Sequence, residues 1–161
     1  MLETSWTISD RLIGRANHVL DAVDNITFID STKRKREKAE ARVLRAWSYF
    51  ELVKIFGAVP LVQHVITDVD ALNYGRVGID TIYNFITSEL QAASADLPYK
   101  YAAAADKGRV TRLAALGLLG KAYMYMAGFP MNKTQYYANA QTALQQVLAQ
   151  EPDVIVTGSY R

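Results

Sequence analysis

Asn73, Tyr74 and Arg76 set an amide, an aromatic ring and a guanidinium almost side by side. An aromatic face packs on the apolar C–H side of a sugar ring, while amide and guanidinium groups hydrogen-bond its hydroxyls, so the trio has the parts of a glycan contact. The competing reading is that Tyr74 simply pins its segment to neighbouring helices, since one loop supplies only part of a binding surface. Asp68, Asp70 and Asn73 share the oxygen-rich look of a calcium loop. Leu72, however, stands where a third oxygen ligand belongs, and no glutamate follows at the required distance, so they read as a solvated acidic loop. His18 and His64 are too few and too isolated for a metal site or a catalytic triad and read as surface or packing histidines. The run Lys33-Arg34-Lys35-Arg36 attracts phosphates in principle, but Glu37 and Glu40 follow it and no aromatics interleave, so it reads as a solvated helix entry. With no nucleophile–base pair, phosphate loop or metal cluster in view, the sequence predicts no catalytic residue, no metal and no cofactor.

Composition narrows the field further. A chain of 161 residues fits one domain and can bury roughly two-thirds of its unfolded surface. Half of its residues are hydrophobic, which argues against intrinsic disorder. Eighteen Lys plus Arg against sixteen Asp plus Glu give no field that would favour nucleic acid or an anionic membrane. The absence of cysteine excludes disulfides, thiolate chemistry and a lipid anchor on a cysteine of this chain. The opening MLETSWTISD lacks the basic patch and apolar core of an export signal, and the run from Leu113 to Phe129 is interrupted by Lys121 and too short to span a bilayer comfortably.

The elements that must position these residues are helices, and the spacing predicts five. The first, near Ser5 to Asn25, sets Ile8, Leu12, Ala16, Val19 and Val23 on one face and turns Asp10, Asn17, Asp21 and Asp24 outward. The second is entered through Lys33 to Lys38 and carries the stripe Ala39, Val43, Ala46, Phe50 and Val53. Leu44, Trp47, Tyr49, Leu52, Ile55 and Phe56 add apolar surface on its other sides, as expected of a central helix. Arg42 and Arg45 share a side with Tyr49 and Phe56, and a buried guanidinium there needs a partner, so their expected role is structural pairing. Gly57 and Pro60 end this helix. The third helix starts at Asp80 as N-cap, runs to Asp96 and buries Ile82, Phe85, Ile86, Leu90 and Ala93. The fourth spans Thr111 to Ala127, where Gly117 and Gly120 suggest close approach by a neighbouring backbone. The fifth opens with Asn132 and Gln135 in a capping-box-like pair and runs to Gln150. Tyr83, Tyr123, Tyr125, Tyr136 and Tyr137 lie within helical patterns and are expected to pack. Val154 to Val156 is the one short β-like run, and the connection from Gly57 to Ile79 is long enough to be a functional or mobile loop.

Two helical hairpins repeat. Leu119-Gly120-x-x-Tyr123 matches the first-helix core of a tetratricopeptide unit, and Ala140, Leu144, Val147 and Pro152 fit the pattern of its second helix. Ile86, Leu90, Ala93 and Pro98 repeat that second-helix spacing after Arg45-Ala46-x-x-Tyr49. Each hairpin departs from the standard repeat of about 34 residues through a longer inter-helix connection.

The string AEARVLRAWSYFELVKIFGAVPLV, from Ala39 to Val62, closely resembles the signature of the SusD/RagB family of Bacteroidetes surface lipoproteins. TIYNFITSELQAASADLP at 81–98 and GRVTRLAALGLLGKAYMYMAG at 108–128 extend the likeness in the same order. The resemblance implies an all-α, tetratricopeptide-like scaffold of about five main helices with one long loop. It also implies a non-catalytic, nutrient-binding role at the outer-membrane surface: capture of an oligosaccharide, or in some members a peptide, and delivery to a TonB-dependent transporter. Family members are much longer and begin with a lipoprotein signal, so residues 1–161 are expected to be a single N-terminal helical domain, either a portion of a longer protein whose lipid anchor lies elsewhere or a divergent short relative. The rival class is a scaffold whose groove binds another protein or a peptide with no glycan at all. A helical enzyme has little in the sequence to support it.

Overall fold

The computed structural model describes residues 2–27, 30–66 and 74–150. The fold is all-α. Five helices carry it: α1 (Leu2–Ala22), α2 (Ser31–Phe56), α3 (Ile79–Asp96), α4 (Arg112–Ala127) and α5 (Tyr136–Gln150). Each packs on its neighbours in sequence, as tetratricopeptide-like hairpins do. Paired contacts give the directions. Trp6 meets Phe56 at 5.1 Å between ring centroids, while Lys38 bonds Asp24 in the short 3₁₀ turn (Val23–Asn25) that follows α1, so α1 and α2 run antiparallel. Phe50 against Tyr83 and Arg45 against Glu89 do the same for α2 and α3. The Arg112 N–H donates to the Pro98 carbonyl at 2.8 Å and starts α4 back along α3. The Tyr123 and Tyr136 rings stack at 5.6 Å where α4 turns into α5.

Local chemistry fixes most of the ends. The Asp30 carboxylate accepts the Thr32 N–H at 2.8 Å and caps α2, and Thr111 caps α4 through the Ala114 N–H. Gly57 ends α2 at φ +67°, a backbone region that side-chain-bearing residues avoid. The stripe Ala39, Val43, Ala46, Phe50 and Val53 is buried as its spacing predicts, and Arg45, Ser48, Tyr49 and Leu52 bury a second side of α2 between α1 and α3. Leu44, Trp47 and Ile55 remain exposed. Among the described residues no helix is long and apolar enough to cross a membrane.

Several expectations need correction. In α1 the inward set is Ser9, Ile13, Ala16 and Asn17, while Ile8 and Val19 face solvent. The helix is rotated because Asn17, which sequence polarity turned outward, is required inside as a hydrogen-bonding partner. The N-cap of α3 is Gly78, and Asp80 sits in the first turn, where its carboxylate suits the helix dipole and pairs with Lys133 at 2.8 Å. Asn132 adopts φ +52° inside a turn, incompatible with the extended backbone of an N-cap, so α5 begins only at Tyr136. A Cβ on Gly120 would stand 2.7 Å from the Leu144 side chain, so the close neighbour there is a side chain and not a backbone, whereas one on Gly117 would meet nothing within 4 Å. The long connection also contains strand, namely β1 (Val59–Pro60) antiparallel to β2 (Arg76–Val77). Val154 to Val156, Asp68 and Asp70 lie outside the described residues.

Candidate ligand-binding loop

The loop leaves α2 at Gly57 and is closed at its neck by the two short strands, Val59 facing Val77 and Pro60 facing Arg76. Val59 is buried in the core, which anchors the neck from below. Beyond it the outgoing leg, residues 61–66, is stitched to α1 and α2 by four side chains. The Tyr49 hydroxyl accepts the Val62 N–H at 2.7 Å and donates to the Val62 carbonyl at 2.9 Å, satisfying both polar groups of one residue. Asn17 donates from Nδ2 to the Val62 and His64 carbonyls at 3.2 and 3.1 Å. Arg45 donates from Nη1 to the Gln63 carbonyl at 2.8 Å. Asp21 accepts the Val65 N–H at 2.7 Å and meets His64 Nδ1 at 2.9 Å.

Behind these bonds lies a buried charge pair. Arg45 is 6% exposed, and its Nε and Nη2 donate to Glu89 Oε2 of α3 at 2.9 and 2.6 Å. Its Nη1 also donates to Asn17 Oδ1 at 2.8 Å, which fixes the amide orientation that frees Asn17 Nδ2 for the loop. The expected structural pairing of Arg45 is therefore what the fold contains, and Arg42 stands 3.8 Å from the same carboxylate. Hydrogen bonding from Val65 and His64 holds the Asp21 carboxyl below its ordinary range. Burial, with a smaller push from nearby Asp10 and Tyr74, raises Tyr49 to about 12, so the hydroxyl that grips Val62 stays protonated at any physiological pH.

Of the sequence-predicted trio, Tyr74 is half-buried on the return leg, near enough to Tyr49 to affect its ionisation, and Arg76 is exposed on β2. Asn73 lies outside the described residues. Sequence reasoning missed Asn17, Asp21 and Glu89. Glu89 had a signal, because it falls three residues after Ile86 and four before Ala93 on the apolar stripe of α3. The charges after the basic run have a separate task at the far end of α2. Arg109 bonds Glu37 and Glu40 at 2.8 Å, and the Tyr101 hydroxyl donates to Glu40, tying the connection between α3 and α4 to α2. Tyr83 and Tyr123 pack as expected, but Tyr125 and Tyr137 are exposed.

A SusD-like family model, described as starch-binding associating with outer membrane, matches residues 1–124, a span containing the loop and every side chain that holds it. The chain belongs to the SusD-like family. A SusD-like protein of Bacteroides ovatus is 29% identical over 146 residues, which cover 89% of this chain and 26% of the relative. The structure of a SusD-like carbohydrate binding protein from Bacteroides fragilis superposes with a TM-score of 0.82 at 32% identity, over 92% of this chain and 27% of that one. A laminarin binding SusD-like protein gives 0.79 at 30% identity, over 90% and 29%. The chain thus spans little more than a quarter of the length of these SusD-like relatives.

Proposed function

We propose that this SusD-like chain is the helical part of a non-catalytic nutrient-binding protein that captures oligosaccharides at the outer-membrane surface and delivers them to a TonB-dependent transporter. The observation that carries the reading is the stitched loop: four side chains and a buried charge pair hold one leg of a surface connection whose return leg carries half-buried Tyr74 and exposed Arg76. Such preorganisation lowers the ordering cost of binding a flexible glycan. The starch-binding description of the family and its carbohydrate- and laminarin-binding relatives support glycan as the ligand class. Asp21 and Glu89 are committed to holding the loop, which suits binding followed by release with no bond broken. Asn73, Tyr74 and Arg76 are the contacts we assign to the sugar. The exposed Leu44 and Trp47 of α2 favour a second reading, a peptide-binding scaffold without a glycan ligand. Native electrophoresis through gels containing starch or laminarin tests the choice: retardation without release of reducing sugar supports glycan capture. Unretarded migration together with tight binding to a peptide library would replace it with the scaffold reading, and sugar release would make the protein an enzyme.

A further inference from the structure

Three elements end around one cleft at the root of the loop: α2 at Gly57, α3 beginning at Ile79, and the turn that follows α4. The cleft holds about 250 Å³. Phe129, in that turn, is 88% exposed, so core packing gives no reason for its ring. Its turn is braced, with the Asn132 N–H on the Gly128 carbonyl at 2.7 Å, the Lys133 N–H on the Met126 carbonyl at 3.0 Å and Lys133 paired with Asp80. Tyr125 lines the same cleft, half out of the protein and edge-on to Phe50. Tyr83 lines the cleft from below, its side chain 4% exposed and its ring edge-on to Phe50. Lys54 reaches the rim, paired with Glu51 at 2.6 Å.

We infer that this cleft is a second sugar-contact site, taking one pyranose unit of a neutral glycan. The inference rests on the glycan-binding reading of the loop. Phe129 and Tyr125 present ring surface to the C–H face of the sugar, and the Tyr83 hydroxyl and Lys54 ammonium meet its hydroxyls. The volume lies below the roughly 300–1,000 Å³ of sites for drug-sized ligands, which suits a single ring. A neutral unit fits because the charge of Lys54 is already balanced by Glu51. The cleft sits at the root of the loop, lined by Gly57 and Ile79, and an oligosaccharide long enough to reach from it to the return leg gains from effective concentration at the second contact.

The test is calorimetric titration of the chain, Phe129→Ala and Tyr83→Phe with maltoheptaose and laminarihexaose, with Tyr74→Ala alongside. Phe129→Ala removes an exposed ring and Tyr83→Phe retains the packed one, so unchanged melting curves serve as the fold control. Each is expected to weaken binding about five-fold, the scale of one aromatic or hydrogen-bonded contact. Parental affinity in both cleft variants, with Tyr74→Ala weakened, overturns the second site and leaves the loop reading standing. No binding of either glycan by the parent chain removes both. Loss of self-association in Phe129→Ala without any change in affinity assigns the cleft to a covering protein surface and likewise overturns the inference.

Discussion

Glu89→Ala strips the buried Arg45 guanidinium of the carboxylate that accepts its Nε–H and one Nη2–H, at 2.9 and 2.6 Å. Removing one partner of a buried pair costs about 3–5 kcal/mol, because the remaining charge is left in a poorly polarisable interior. Asn17 Oδ1 and the Gln63 carbonyl still accept from Nη1, so the expected loss is near the lower limit, about 3 kcal/mol. For a chain of this size that corresponds to a fall in melting temperature of about 6–12 °C. Urea denaturation followed by circular dichroism measures the loss, and amide exchange at Val62 and Val65 reports the loop. The double replacement Arg45→Met with Glu89→Leu removes the stranded charge and should recover most of the stability. It should not restore slow exchange, since Gln63 and Asn17 have lost their donor. A loss below about 1 kcal/mol in Glu89→Ala would show that Arg45 is effectively solvated. A double variant as unstable as the single one would trace the damage to a cavity instead of a stranded charge.

Gly120→Leu forces volume into the contact with Leu144 and should cost about 1–3 kcal/mol in a melting experiment. Gly117→Ala meets open space and should be neutral or stabilising by up to about 1 kcal/mol. The Asp21 carboxyl is depressed in the folded chain, so its contribution is present above its unfolded value near 3.8 and is lost as pH falls through the lower folded value. Exchange protection of the Val65 amide should therefore drop on acidification below that range, and Asp21→Asn should flatten the dependence.

The helical architecture was legible because its signals are local and repeated: a stripe at steps of four and three on α2, Gly57 at its end, and the Leu119-Gly120-x-x-Tyr123 spacing on α4. Arg45 was legible as a buried cation needing a partner, since its helix already had two apolar sides. Its partner was not, because Glu89 is joined to it only by tertiary packing across 44 residues. Asn17 reads as a solvent-facing amide by polarity, and only a neighbour that supplies a guanidinium and two loop carbonyls makes it an interior residue. The β1–β2 neck escaped notice because a two-residue strand pair has no alternation to detect. In the turn after α4, Asn132 and Gln135 imitate a cap at a place where the backbone is in a left-handed conformation.

The central claim is that the loop held by Tyr49, Asn17, Arg45 and Asp21 presents Tyr74 to a glycan. Its most direct test is the affinity of Tyr74→Ala relative to the parent chain for maltoheptaose and laminarihexaose, measured by calorimetry with circular dichroism as the fold control. Loss of one stacked ring removes about 1 kcal/mol, so binding should weaken about five-fold while helicity is unchanged, with a smaller loss for Arg76→Ala. Equal affinities for parent and Tyr74→Ala would contradict the claim and make Tyr74 a residue that only fastens the loop.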